Sequence, residues 1–265
     1  MNVLITGAAG GLGRAFANEC AKRGYNLILT DINESGLNAI KSGIERKYNT
    51  FVIIKSCDLT SDDSVDEFME FVKKEKLQFD MLLNIAGLDY EGGFLERDIA
   101  SVMKILKLNL EATLRITHKV LENRNGKNQF YIIFVSSLAS LYPMPLKATY
   151  AASKRFLLDF SYALREELKA ENVSVMSLCP GGLATTKEAI SGITAQGFYG
   201  DVTTNPLEKV VNKAISRSLS NKALYVPGFL NRVLSVLGTI VPRKVITRLL
   251  YSRWTQAQKQ WLNKI

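Results

Sequence analysis

Residues 2 to 23 constrain the fold of this chain more than any other stretch. Asn2-Val3-Leu4-Ile5 reads as a short buried strand, Thr6-Gly7-Ala8-Ala9-Gly10-Gly11-Leu12-Gly13 as a turn, and a helical pattern then runs to about Arg23. Strand, glycine-rich turn and helix in that order is the context that makes glycines informative. Gly7 permits the tight turn, while Gly11 and Gly13 let the backbone approach a pyrophosphate and let the helix pack on the sheet. The helix N-terminus then offers unpaired N–H groups and a positive dipole end to the phosphates. A glycine-rich turn that holds no ligand is the plainer alternative.

The alternation continues. Asn26–Thr30 and Phe51–Ile54 read as strands, Leu37–Lys47 as a helix, and Thr60 or Ser61 can cap a helix running to about Lys76. Met81-Leu82-Leu83 is a fourth strand and ends at Asn84-Ile85-Ala86-Gly87. Repeated βα units predict an α/β fold, a Rossmann-like doubly wound parallel sheet of about seven strands with helices on both faces. Ligands of such sheets sit at the carboxyl ends of the strands. Thr6, Asp31, Asp58 and Asn84 all fall there. An acid just past the second strand, as Asp31 is, suits adenosine ribose hydroxyls and repels a 2′-phosphate. Neither Gly10 nor Ile32 supplies a cation for that phosphate, and Arg14 is expected to lie along its helix. NAD(H) is therefore favoured over NADP(H), the competing reading of Asp31 being a turn acid or helix cap.

Further on, Tyr150 and Lys154 stand four residues apart in a run that reads as helix, so they share a face. A lysine beside a tyrosine favours the phenolate and is expected to lower the phenol pKa. Such a tyrosine can act as general acid or base on an alcohol or carbonyl. Ser137 follows the strand-like run Phe130–Val135, where its hydroxyl can bond the same oxygen. The spacing alone is common on surface helices, and only the surrounding order gives it weight.

With these residues assembled, the chain resembles the short-chain dehydrogenase/reductase family over nearly its whole length. Thr6, Gly7, Gly11 and Gly13 match the family's glycine pattern, and Asp58 matches its acidic element beside the adenine. Asn84, Ala86 and Gly87 match its Asn-Asn-Ala-Gly element, with Ile85 in place of the second asparagine. Asn109 matches its central-helix asparagine, Ser137, Tyr150 and Lys154 its active site, and Pro180-Gly181 and Thr185 its nicotinamide flank. The resemblance also implies cofactor contacts from Leu12, Ile32, Leu59 and Leu183. It implies hydride transfer with no metal. Tyr150 would move the proton and Lys154 would hold the nicotinamide ribose. Ser137 would polarise the substrate oxygen, and Asn109 would fix a water that links Lys154 to solvent. A buried amide satisfied by backbone is the plainer reading of Asn109.

Pro143 and Pro145 make residues 138–146 a loop, followed by a helix from Tyr150 to roughly Ala170 and a strand Val173–Leu178. Residues 183–205 lack a clear period and read as a lid over the substrate. Leu88, Leu138, Met144 and Phe198 are candidate substrate contacts and favour a small hydrophobic substrate. A hydrophobic secondary alcohol or ketone is the expected class, with 3-oxoacyl thioester, steroid and other lipid-like carbonyls open. A dinucleotide-binding regulator or scaffold without catalysis is the alternative, which the full set of Ser137, Tyr150 and Lys154 disfavours. The resemblance also implies a homodimer or homotetramer built on the Tyr150 and Asn109 helices.

Charge is distributed unevenly. After Glu208 there are eleven basic residues and no acidic one, although the net charge of the whole chain is only +9. Pro206–Ser218 reads as helix and Ala223–Val226 as a last strand, which would close a catalytic domain over residues 1–228. Phe229–Ile240 and Arg243–Trp261 then form two basic amphipathic patterns, an extension over residues 229–265. Leu230, Val233, Leu234, Leu237, Leu249, Leu250 and Trp254 make their apolar side, which is expected to pack on the sheet edge, the lid or a partner subunit. The sharper alternative is a surface for an anionic membrane or an acyl-carrier protein. Nucleic acid is disfavoured because no aromatic-basic interleaving accompanies the charge. The isolated Cys20, Cys57 and Cys179, with His118 as the one histidine, offer no metal cluster and fit a reducing compartment. No signal peptide is expected, because the Val3-Leu4-Ile5 run begins so close to Met1. No apolar run nears the roughly 20 residues that span a bilayer. The expected location is cytoplasmic, or peripheral at the membrane.

Overall fold

In a computed structural model the chain alternates strand and helix as its pattern predicts. The structure describes residues 1–185 apart from 125 and 127, then residues 190, 191, 194 and 203–262, with side chains through Thr255 except at 239. Strand β1 spans Asn2–Thr6, α1 Gly11–Lys22, β2 Asn26–Asp31, α2 Glu34–Lys47, β3 Val52–Ser56, α3 Asp62–Lys74 and β4 Met81–Asn84. Helix α4 (Ile99–Leu106) runs through a π-helical segment, Lys107–Ala112, into α5 (Thr113–Glu122). Then come β5 (Phe130–Val135), a 3-10 turn Leu138–Leu141, α6 (Ala148–Glu167), β6 (Val173–Leu178), α7 (Leu207–Leu219) and the short β7 (Leu224–Tyr225). Two helices end the described chain, α8 (Phe229–Ile240) and α9 (Arg243–Leu262). Most boundaries agree with the pattern to within a few residues. The cap of α3 is Ser61, whose hydroxyl accepts from Ser64 N at 3.3 Å. Helix α6 stops short of Ala170, where a 3-10 turn and Asn172 in the left-handed region turn the chain into β6.

All seven strands are parallel, in the order β3-β2-β1-β4-β5-β6-β7. Alternation along each strand builds two cores. Val3 and Ile5 of β1 pack with Phe16 of α1 and Val211 and Ile215 of α7 on one face. Leu4 packs with Phe68 of α3, Ile116 of α5 and Leu157 of α6 on the other. The strand order reverses between β1 and β4, so a crevice opens at their carboxyl ends.

The expected lid over 183–205 lies largely outside the described residues, and Phe198 lies outside them entirely. Helices α8 and α9 pack on the domain only in part. Trp254 is buried, and Gly238 lies so close to the Tyr142 ring that a β-carbon there would stand 2.8 Å from Cδ1. Leu234 and Leu250 are half-buried, but Leu230, Val233, Leu237 and Leu249 remain exposed. The pair touches the domain along one edge and presents much of its apolar side outward. None of the described helices is long and apolar enough to cross a membrane.

Candidate active site

The glycine turn is built as its sequence requires. Gly7 sits at φ +64°, and a β-carbon on it would stand 2.7 Å from Ala86 Cα. Gly13 lies against the Gly7 carbonyl, where any side chain would collide. The first turn of α1 has neither a side-chain cap nor an acidic residue, so its amides face the crevice unneutralised. Gly11 makes its close approach to Thr185, whose carbonyl oxygen would stand 2.5 Å from a β-carbon there. The segment after β6 thus folds over the turn.

Asp31 is tied to the same turn. Its carboxylate accepts from Ala9 N at 2.9 Å and from Asn33 N at 2.9 Å. Ile32 beside it is exposed. Arg14 differs from expectation. Its Nε donates to the Ala9 carbonyl at 2.9 Å, so the guanidinium curls back over the peptide that binds Asp31 instead of extending along α1. A cation therefore does stand near the ribose end of the crevice. These residues fit a dinucleotide: a glycine cradle, open helix amides, and a carboxylate with lone pairs left for ribose hydroxyls.

At the neighbouring strand ends, the Asp58 carboxylate accepts from Thr60 N at 2.9 Å and Thr60 Oγ1 at 2.7 Å, which holds it below the usual carboxylate range. Thr6 Oγ1 accepts from Ile85 N at 3.1 Å and Ala86 N at 3.3 Å, joining the ends of β1 and β4. Two of the expected cofactor contacts have side chains engaged elsewhere. The Leu59 side chain is buried with Val65 and Phe68 in the core. Asn84 turns its amide to Thr117 of α5, at 2.9 Å, and so braces the end of β4 instead of facing the crevice.

Ser137, Tyr150 and Lys154 converge beyond the β5 end. The Ser137 hydroxyl lies close enough to the Tyr150 phenol to lower its pKa, and Ser137 Oγ accepts from Ala139 N at 3.1 Å, which fixes its direction. Lys154 is 4% exposed, and its Nζ donates to the Val135 carbonyl at 2.9 Å. The Ser136 hydroxyl donates to the Lys154 carbonyl at 2.7 Å, pinning α6 to β5. Asn109 is fully buried in the π segment. Its Oδ1 accepts from Leu88 N at 2.8 Å, and its Nδ2 donates to Leu88 O at 3.0 Å and Ser153 Oγ at 3.1 Å. This side chain clamps the Leu88 backbone beside Lys154. A π segment at this point is consistent with a functional distortion of the helix.

The electrostatics correct one expectation. Burial pushes the Tyr150 phenol upward, Asp89 adds to that, and the Ser137 bond opposes it. Burial pushes Lys154 down to about 8, against the pull of Asp89. The lysine does not lower the tyrosine as its spacing suggested. Its ammonium donates to the Val135 carbonyl, and burial favours its neutral form.

A cleft of about 760 Å³ joins these parts. Of the expected residues it is lined by Leu12, Gly87, Leu88, Ser137, Leu138, Met144, Tyr150, Lys154, Pro180, Gly181, Leu183 and Thr185. It also contains Asp89, Glu91, Tyr142 and Lys147, which the sequence did not single out, and Trp254, expected only on the apolar side of the C-terminal helices. Lys147 Nζ lies 2.7 Å from Asp89 Oδ2 and 3.4 Å from Glu91 Oε2. The same ammonium stands 5.6 Å from the ring centres of both Tyr150 and Trp254. Burial raises the Glu91 carboxyl above its usual range. Lys147 could have been suspected from its place one turn before Tyr150. No local signal brings Trp254 to the cleft.

Comparison with known proteins follows the same lines. The family model described as short chain dehydrogenase matches residues 1–192. Human 17-beta-hydroxysteroid dehydrogenase type 3 is 31% identical over 220 residues, 82% of this chain and 66% of the relative. Mouse very-long-chain 3-oxoacyl-CoA reductase is 31% identical over 186 residues, 69% of this chain and 59% of the relative. The chain therefore spans less than two thirds of the length of these curated relatives. A short-chain dehydrogenase from Sphingobium yanoikuyae, solved with NADPH, superposes with a TM-score of 0.75 at 23% identity, covering 90% of this chain and 92% of that one.

Proposed function

The chain belongs to the short-chain dehydrogenase family, and on that footing we propose that it exchanges a hydride between a nicotinamide dinucleotide and an apolar secondary alcohol or ketone of lipid-like size. The observation that carries this reading is the meeting of the Tyr150 phenol, the Ser137 hydroxyl and the buried Lys154 on the wall of one cleft, at the open end of a dinucleotide crevice. Both relatives bear names that denote bulky apolar alcohols or ketones, a hydroxysteroid and a very-long-chain 3-oxoacyl-CoA. Leu88, Leu138, Tyr142, Met144 and Trp254 give the cleft a matching wall.

The bound nicotinamide would supply or accept the hydride. Everything else falls to the chain. Ser137 and Tyr150 hydrogen-bond the substrate oxygen and polarise its carbonyl. Tyr150, held protonated by its raised pKa, donates the proton as the oxygen becomes an alkoxide; in the reverse direction the phenolate takes it back. Lys154, positioned by the Val135 carbonyl, holds the ribose end of the nicotinamide beside the phenol. Its displaced pKa near 8 lets it pass protons at neutral pH.

For the cofactor, Asp31 supports NAD(H), with the Arg14 guanidinium as the group that would accommodate a 2′-phosphate. Exposed Met103 of α4 with Phe156 and Tyr162 of α6 supports a homodimer or homotetramer on those helices. The test of function is a turnover screen of steroid ketones, 3-oxoacyl thioesters and simple apolar ketones with NADH and NADPH. Turnover of an apolar ketone is expected. Tight nucleotide binding without turnover on any class would instead favour the non-catalytic binding module.

A further inference from the structure

Residues 229, 230, 233, 236, 237 and 240 of α8 recur at helical spacing, and all six are exposed. Phe229 is 76% exposed and Ile240 71% exposed, values far from those of a packed helix face. Helix α9 continues the pattern with Val245 and Leu249, the latter 65% exposed. Cations flank this ridge. Arg232 lies one residue before Val233, Lys244 one before Val245 and Arg248 one before Leu249, and all three are exposed. No acidic residue follows Glu208 anywhere in the sequence, so neither helix carries a carboxylate of its own.

We propose that the α8–α9 pair is a docking surface for an anionic lipid bilayer, lying in the membrane interface with its apolar ridge among the acyl chains and its cations on the headgroups. Exposed contiguous apolar surface rimmed by charge marks an interaction site. An apolar face with arginine and lysine at its borders is the composition that binds anionic interfaces. An acidic soluble protein would need the cations but not exposed Phe229, Ile240 and Leu249. The location adds a purpose, which rests on the reductase reading: α8 packs against Tyr142 through Gly238, and α9 sends Trp254 into the cleft. A docked bilayer would therefore adjoin the pocket mouth, where an apolar substrate could pass from lipid without crossing water.

The experiment is co-sedimentation of the full chain with vesicles of phosphatidylcholine alone and with a third phosphatidylglycerol, at low and high salt. It reads binding without turnover, so its failure is separable from failure of the proposed reaction. Binding at least about tenfold stronger to the anionic vesicles, weakened by salt, is expected. The triple variant Phe229→Glu, Ile240→Glu, Leu249→Glu should lose at least about tenfold in that binding, and so should Arg232→Glu, Lys244→Glu, Arg248→Glu. Both should keep the unfolding temperature and the turnover of a water-soluble ketone. No binding by the native chain at low salt overturns the proposal. So does binding that survives the apolar triple variant, which would point to an acidic-partner surface. A dimer in sedimentation velocity that the apolar triple variant converts to monomer, without vesicle binding by the native chain, would assign the ridge to a second copy and also overturn it.

Discussion

A β-carbon on Gly87 would stand 3.2 Å from Lys154 Nζ and 3.1 Å from Asn109 Oδ1. The turn after β4, the π segment and α6 therefore meet at a point where a methyl group would fit only if a neighbour gave way by a few tenths of an ångström. Lys154 cannot retreat without losing the Val135 carbonyl, and Asn109 is held by three hydrogen bonds. Gly87→Ala should lower kcat by roughly tenfold through displacement of the ammonium. It should cost about 1–3 kcal/mol of stability as an overpacking change. Steady-state kinetics beside a denaturant titration checks both, and an unchanged kcat would mean that the lysine position is not set here.

Asp89 sits across the cleft, paired with Lys147, and its charge raises the pKa of both Tyr150 and Lys154. Reduction requires the protonated phenol, so its rate is present at low pH and is lost as pH rises through the Tyr150 pKa. Asp89→Asn removes a negative charge, lowers that pKa and should move the loss to lower pH. The check is a pH profile of kcat/KM for ketone reduction; a profile that stays in place separates Asp89 from the tyrosine.

Cofactor preference turns on one peptide, Ala9, whose N–H binds Asp31 and whose carbonyl binds Arg14. A hydrogen bond to a charged group contributes about 1.5–3 kcal/mol. Asp31→Ala should therefore narrow the ratio of kcat/KM for NADH over NADPH by roughly 10- to 100-fold. Arg14→Ala should widen it. An unchanged ratio in both variants would place the discrimination elsewhere.

Trp254 forms part of the apolar wall from a helix far along the chain. Trp254→Ala removes a large contact surface, and a fully buried side chain of this kind contributes about 1.5–3 kcal/mol. KM for a bulky apolar ketone should rise about tenfold, while a small ketone that cannot reach the indole should change little. Equal effects on both substrates would indicate a general disturbance of the cleft.

The sheet was legible because its signals are local. β-Strand runs such as Met81–Leu83 end in turn residues, and Gly7 and Gly13 fall where only glycine fits. The meeting of Ser137, Tyr150 and Lys154 was legible for the same reason, since strand end and helix face fix both directions. What the sequence hid depends on distant packing. Asn84 turns to Thr117 because α5 lies beneath β4, and Arg14 curls to Ala9 because the glycine turn leaves that carbonyl free. The phenol of Tyr150 is governed by burial and by Asp89, neither of which a spacing of four residues can report. Trp254 reaches the cleft through the docking of α9, and amphipathic spacing does not say what covers the outward ridge of α8.

The central claim is that Tyr150 moves the proton that accompanies hydride transfer. Tyr150→Phe removes one oxygen and leaves the glycine cradle, Asp31 and Lys154 in place. Cofactor oxidation with an apolar ketone, followed beside nucleotide binding, is the direct measurement. The account predicts a fall in turnover of roughly 10²–10⁴ with nucleotide affinity within a few-fold of the native chain. Native turnover in Tyr150→Phe would contradict it.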